Sequence, residues 1–282
     1  MHYINFNGKV VAENTAIIEA NNRGFRYGDA VFETIKLKNG ILILANAHFE
    51  RLWKGITLLQ FEIPKLFTTA FLEKEIYNLA KKNNLQSARV RLTVFRGAGG
   101  IYDAVNHYPN FIIETIQLSA HTGLINTNGL DICLYTDAVK CIDAFSNCKT
   151  NNYLPYFMGA LFAKKMKCND AIIVNSQGNV CDTTIANIFL IKNSHIYTPS
   201  LQQGCVAGVM RQCVLHNLKK MNYSIEEGIV TKKNIIDADE IFLTNSIYNI
   251  RWVSSFENKM YNNTIIKKIS NNLVLKEPQI FS

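Results

Sequence analysis

The pattern of apolar and polar positions divides the chain into short strands and longer helices. AVFETIKL and ILILAN, on either side of the turn signal KNG, predict a hairpin. The spacing then shifts to a helical period in AHFERLWKGITLL and again in FTTAFLEKEIYNLAKKN. ARVRLTVFRG and NFIIETIQL return to strand patterning, and the polar stretch SAHTGLINTNG reads as a linker. Beyond it come a strand, LDICLYT, and a helix from Tyr153 in which Leu154, Phe157, Met158, Leu161 and Phe162 repeat on one apolar face. Thr150, Asn151 and Asn152 are candidate caps for that helix, and Pro155 is tolerable only in its first turn. A strand pair in AIIVNSQGNVCDTTIANIFLI, a helix near 209–221, a strand EIFLTNS and a terminal helix near 262–275 complete the reading. Strands and helices mixed without strict alternation predict an α+β fold. The expected domains are a smaller N-terminal one over 1–117, a linker over 118–126, and a larger C-terminal, barrel-like one over 127–282.

Composition narrows this picture. A chain of 282 residues with 48% hydrophobic and 18% charged residues can bury a substantial core. Its opening, MHYINFNGKVV, lacks the basic start and long apolar core of a secretory signal, and no apolar run is long enough to cross a bilayer, so a cytoplasmic protein is expected. The seven cysteines, at 133, 141, 148, 168, 181, 205 and 213, form no CxxC pair and predict reduced thiols and no metal site. The net charge of +8 is spread along the chain, without a basic block or an RNA-binding motif. A basic surface around a small anionic ligand is expected, with neither nucleic acid nor membrane as partner.

The candidate chemistry begins with anion binding. In CVAGVMRQCVL, Gly208 stands where a helix starts, which leaves the N–H groups of Val209 and Met210 as donors toward an anion; a plain glycine cap is the alternative. In LTNSIYNI the strand ends at Thr244, Asn245 and Ser246, whose side chains could complete a phosphate cradle. Arg51, in AHFERL, can grip a phosphate bidentately or lie exposed on its helix. Lys149, by contrast, precedes a helix at the end where the dipole disfavours a cation, whereas Lys164, Lys165 and Lys167 lie at the favoured end.

NNRGFRYGDAVFETIKLKNG, HFERL, KTNNYL, GNVCDTTIANIFLI, TPSLQQGCVAGVMRQ and DADEIFLTNSIYNI resemble, in order, the motifs of class IV aminotransferases. These are the fold-type IV pyridoxal 5'-phosphate enzymes, comprising branched-chain and D-amino acid aminotransferases and 4-amino-4-deoxychorismate lyases. The resemblance runs from about residue 20 to 255. It implies that Lys149 is the catalytic lysine, which links covalently to the cofactor aldehyde. Attack on a carbonyl needs the neutral amine, and a helix end contributes only about 0.3 to 1 kcal/mol, less than the roughly 1.4 kcal/mol that moves a pKa by one unit. Burial and the covalent link must supply the rest. By the same resemblance Arg51, Val209, Met210 and Ser246 hold the phosphate, Tyr153 contacts the phenolate oxygen, and Asp182 faces the ring nitrogen. Asp182 departs from the family, which has glutamate there. Aspartate keeps the charge but is one methylene shorter, which puts the strength of the ring contact in question.

The resemblance leaves the reaction open between two outcomes. FRGAGGIYD and GVMRQ look closer to the lyases, whereas Tyr153 and Ser246 look closer to the transaminases. The arginine that marks D-amino acid enzymes is replaced by Val105 in VNHYP, which argues against D-specificity. Tyr27 and Arg96 are the candidates for a substrate carboxylate. The expected activity is transfer of an amino group from a small, branched-chain-like amino acid to a 2-oxo acid. The alternative is release of pyruvate and 4-aminobenzoate from aminodeoxychorismate, and a homologue that binds the cofactor without turnover is a third reading. A homodimer is expected by analogy.

Overall fold

The computed structural model describes residues 1–102 and 106–274. Contacts divide the chain into two units, one of Met1–Thr122 with Cys148–Asn152, the other of Gly123–Asn147 with the chain from Tyr153.

The first unit contains β1 (Tyr3–Phe6), β2 (Lys9–Ala12), α1 (Arg23–Tyr27), β3 (Ala30–Lys38), β4 (Ile41–Leu42), α2 (Ala45–Leu58), α3 (Thr69–Lys82), β5 (Ala88–Arg96) and β6 (Pro109–Gln117). Its sheet runs β2-β1-β6-β5-β3-β4 and every pairing is antiparallel. The apolar faces of α2 and α3 supply Leu52, Ile56, Leu72, Ile76 and Leu79 to one core with Ile35, Val90 and Leu92 of the sheet. Thr68 caps α3 by accepting from Phe71 N, and Lys81 and Lys82 in the last turn suit the helix dipole.

The expected hairpin is present, but its second strand is only two residues long. At Leu44 the backbone turns into the left-handed region (φ 56°), and α2 begins at the next residue. Residues 148–152, expected in the C-terminal domain, group with the first unit. They lie along the start of β3, where Phe32 N donates to Lys149 O (2.9 Å), Asn151 N donates to Ala30 O (3.0 Å), and Thr150 forms a bridge with Val31.

The second unit contains β7 (Leu130–Lys140), α4 (Leu154–Lys165), β8 (Asp170–Asn175), β9 (Val180–Thr183), β10 (Asn187–Lys192), β11 (His195–Pro199), α5 (Val209–Lys220), β12 (Ile225–Gly228), α6 (Lys232–Asp237), β13 (Glu240–Asn245), β14 (Asn249–Phe256), β15 (Lys259–Met260) and α7 (Thr264–Val274). The main path of its sheet is β12-β11-β10-β13-β14-β7-β8-β9, with β15 paired to β14. Parallel pairs (β11/β12, β14/β7, β7/β8) mix with antiparallel ones. The α+β class expected from the pattern is what the chain adopts.

The stretch expected as a strand pair forms three strands. Asp170 Oδ1 accepts from Thr184 N (3.0 Å) and Thr184 Oγ1 (2.6 Å), which fixes the turn between β9 and β10. The helix after Lys149 also differs in detail. Tyr153 is its N-cap residue and makes no side-chain capping bond. Its buried side is Tyr156, Gly159 and Ala163, while Leu154, Phe157, Met158 and Leu161 remain exposed. Gly159 explains the choice of face, because a Cβ there would lie 2.7 Å from Ile173 Cδ1. The small residue lets the helix approach β8 closely and turns the larger apolar side chains outward.

Leu92, fully buried between β5 and the helices, makes a direct test of the first core. Leu92→Ala is expected to cost about 2–5 kcal/mol in denaturant unfolding, whereas Leu66→Ala, at a site 85% exposed, should change it by less than about 0.5 kcal/mol.

Candidate active site

Strand β3 positions the chemistry of the first unit. Lys149 is tied to it through the backbone, and its Nζ lies 4.3 Å from the centroid of the Phe32 ring. The Arg91 guanidinium, from the neighbouring β5, lies 3.9 Å from the same centroid and reaches Asn151 Oδ1 through Nη2 (3.4 Å). Two cationic side chains therefore share one aromatic ring.

The next residue of β3, Glu33, points its carboxylate at α2. Arg51 grips it bidentately, with Nε to Oε1 at 2.7 Å and Nη2 to Oε2 at 2.6 Å. His48, one helical turn earlier, places Nδ1 2.6 Å from Oε2. Burial pushes the Glu33 carboxyl up, but Arg51 and His48 outweigh it and hold the group at about 2. Burial lowers His48 more than Glu33 raises it, so the ring favours its neutral form. His48 Nε2 is buried and has no partner among the described residues. Arg51 is thus a pre-oriented donor.

The two candidates for substrate binding differ in accessibility. Tyr27, at the end of α1, is 41% exposed, with the Arg23 guanidinium 5.5 Å from its ring centroid. Arg96 is buried, and all three of its nitrogens are engaged: Nε with Asp29 (2.9 Å), Nη1 with His107 (2.6 Å) and Nη2 with Leu59 O (2.5 Å). Its guanidinium also stacks on Phe61. Val105 lies outside the described residues.

In the second unit Asp182, on β9, is 2% exposed and carries four hydrogen bonds. Asn187 Nδ2 donates to Oδ1 (2.8 Å), while Tyr156 OH (2.8 Å), Val206 N (3.0 Å) and Lys140 Nζ (3.3 Å) donate to Oδ2. Burial raises this carboxyl above its usual range, and Lys140, Val206 N and Tyr156 offset that only in part. The Tyr153 ring stacks on Tyr156 (4.6 Å between centroids), and its hydroxyl donates to Thr184 O (2.9 Å).

Val209 and Met210 occupy the first turn of α5 and are buried. Gly208 makes no side-chain capping bond, so the first-turn N–H groups keep their donor capacity. A Cβ at Gly208 would lie 1.9 Å from Asn187 Oδ1, so the close approach of this turn to β10 requires glycine. Thr244 Oγ1, at the end of β13, is buried without a partner among the described residues, and Ser246 follows in a partly exposed turn. An uncapped helix start and an orphaned hydroxyl fit a phosphate, and a buried carboxylate fits a protonated ring nitrogen. These donors suit pyridoxal phosphate.

Within the first unit, then, β3 collects Lys149 and Arg51; within the second, Asn187 links Asp182 to the α5 start. Motif order alone does not single out Glu33, His48, Arg91, Lys140, Tyr156 or Asn187. His48 was visible as the first residue of HFERL, but nothing in the pattern marks a lysine at 140 as the partner of an aspartate at 182.

The family model described as amino-transferase class IV matches residues 30–256. An aminodeoxychorismate lyase of Vibrio harveyi is 30% identical over 250 residues, covering 86% of this chain and 90% of that protein. A D-alanine aminotransferase of Bacillus licheniformis is 25% identical over 260 residues, covering 89% and 87%. Among solved structures, the T.th. branched-chain amino acid aminotransferase complexed with N-(5'-phosphopyridoxyl)-L-glutamate superposes with a TM-score of 0.85. It is 19% identical, and the match covers 97% of this chain and 93% of that one.

The Glu33 cluster predicts a specific acid response. A carboxyl lowered from 4.5 to about 2, at about 1.4 kcal/mol per unit, contributes on the order of 3 kcal/mol above pH 4.5, and this is lost as pH falls toward 2. Glu33→Gln should destabilise the protein by a comparable amount near neutrality, and the gap from wild type should narrow below pH 4.5. Denaturant unfolding at stepped pH measures both.

Proposed function

The chain belongs to the class IV aminotransferases, and on that premise we propose that it is a pyridoxal-phosphate-dependent enzyme transferring an amino group from a small, branched-chain-like amino acid to a 2-oxo acid. The observation that supports this best is the backbone tie of Lys149 to β3 at Phe32, whose ring also meets the Arg91 guanidinium and whose next residue orients Arg51. Structures with the family's fold bind phosphopyridoxyl groups, as the complex with N-(5'-phosphopyridoxyl)-L-glutamate illustrates.

Bound pyridoxal phosphate supplies an aldehyde that captures amines reversibly and a ring that draws electron density from the bond being broken. In this reading Arg51, the N–H groups of Val209 and Met210, Ser246 and the orphaned Thr244 hydroxyl hold its phosphate. Asp182 accepts a hydrogen bond from the ring nitrogen, and Tyr153 orients the phenolate edge. Lys149 would anchor the cofactor, and its Nζ, as a neutral amine, would take the substrate's α-proton and deliver it onward. Arg91 and Tyr27 draw in the substrate carboxylate; Arg96, with every nitrogen engaged, fixes the backbone around Asp29 and Leu59 instead. The exposed apolar side of α4 supports a homodimer in which a second copy covers Leu154, Phe157, Met158 and Leu161. No helix among the described residues is long and apolar enough to cross a membrane, in keeping with a cytoplasmic setting.

A second reading, 4-amino-4-deoxychorismate lyase, is favoured by the 30% identity to the Vibrio harveyi lyase and by the FRGAGGIYD stretch. Purified protein with pyridoxal phosphate should absorb visible light, and borohydride should fix the cofactor on Lys149; Lys149→Ala should lose both. Colourless wild type without an adduct would refute the cofactor assignment. Leucine or alanine should then convert the bound cofactor to its pyridoxamine form. Pyruvate and 4-aminobenzoate formed from aminodeoxychorismate, without that conversion, would establish the lyase.

A further inference from the structure

The two oxygens of Asp182 are not equivalent. Among the described residues, Oδ2 accepts from three donors, Tyr156 OH, Val206 N and Lys140 Nζ, whereas Oδ1 accepts from Asn187 Nδ2 alone. A carboxylate offers about four acceptor positions, two on each oxygen. Oδ2 is therefore saturated and Oδ1 keeps room for one more donor.

Lys140 stands at the end of β7, where the register against β8 shifts between Tyr135 and Lys140 so that Lys140 pairs with Asn175. The same strand holds Asp182 opposite Ile173. The slip delivers a cation to a carboxylate that is 3% exposed, with the Lys140 side chain only 11% exposed, so water screens the pair weakly. Among the described residues, the other titratable groups facing Asp182 are Tyr156 from α4, Cys181 from β9 and Cys205 from the segment before Val206. Burial keeps all three protonated. Lys140 is the one full charge among these groups.

We propose that Lys140 is a positioning residue that shares Asp182 with the cofactor's ring nitrogen and, as a second cation on the same carboxylate, holds back protonation of that nitrogen. The inference rests on the reading of Asp182 given above. A lone buried carboxylate is neutralised only by the ring cation, which favours the protonated ring. Here Lys140 already neutralises Asp182 through Oδ2. A proton added to the ring at Oδ1 then leaves net positive charge in a poorly screened site. The chain thereby attenuates the ring's electron demand by two means, the shorter aspartate and the paired lysine.

The test compares the affinity of the full-length protein for pyridoxal phosphate with that for an analogue whose ring nitrogen is replaced by C–H. Lys140→Met should raise the preference for pyridoxal phosphate about tenfold over wild type. Lys140→Arg should keep the wild-type ratio within about twofold, and Asp182→Asn should abolish the preference. A lysine with a merely structural role would weaken both ligands together and leave the ratio unchanged, which overturns the proposal, as does a fall in the ratio. If Lys140→Met does not fold, Lys140→Gln is read in the same way. Selectivity lost in Asp182→Asn but unaltered in Lys140→Met and Lys140→Gln sinks the Lys140 inference alone. Selectivity unaltered in Asp182→Asn sinks the placement of Asp182, and failure of wild type to retain either aldehyde sinks the cofactor assignment.

Discussion

Strand β3 is the constraint on which the first unit's chemistry depends. Its backbone at Ala30 and Phe32 pairs with the segment carrying Lys149, and the side chain of Glu33 holds Arg51 and His48. Because successive strand side chains point to opposite faces, Phe32 and Glu33 address two different neighbourhoods from adjacent positions. One strand thus anchors both the segment that carries the amine and the side chain that holds the guanidinium. The strand itself is held on both sides, by β5 along eight residue pairs and by β4 at its far end. Little freedom remains.

The second unit poses a different problem, that of a carboxylate held where water is excluded. Burial raises the Asp182 carboxyl above the usual carboxylate range. Four donors from four places in the chain oppose that: the end of β7, α4, the start of β10 and the segment before Gly208. Asn187 couples this cluster to the turn that starts α5, since its amide nitrogen serves Asp182 while its oxygen abuts Gly208. A residue that packs against both is a mechanical link between the ring-facing and phosphate-facing ends of the proposed site.

The sequence is most readable where one local signal determines the outcome. The helix period marks α2, α3 and α5 to within a few residues, and strand patterning marks β3, β5, β6, β7 and β13. The N-terminal hairpin of β1 and β2 also has a signal, the Asn7–Gly8 turn with φ of 52° and 85°, but its flanking strands are too short for alternation to stand out. Two features lie beyond local reading. The apolar stripe of α4 is visible, but which side faces the sheet depends on the close contact at Gly159 with Ile173, a tertiary fact. The Lys140–Asp182 pair depends on a register slip in a parallel strand pair, and sequence patterning does not encode where such a slip falls. Motif order brings out Lys149, Arg51 and Asp182. The groups that orient two of them, Glu33 and His48 for Arg51 and Lys140 for Asp182, emerge only from the packed strands.

The grouping of residues 148–152 with β3 has a consequence for biosynthesis. The polypeptide leaves the first unit after Thr122, returns to it at Cys148 and departs again after Asn152. Emerging from the ribosome, the first sheet cannot acquire its last edge until β7, a strand of the other unit, has already been made. Neither half is a contiguous stretch of gene, so an exon boundary or protease nick at any one place would separate neither as a finished module.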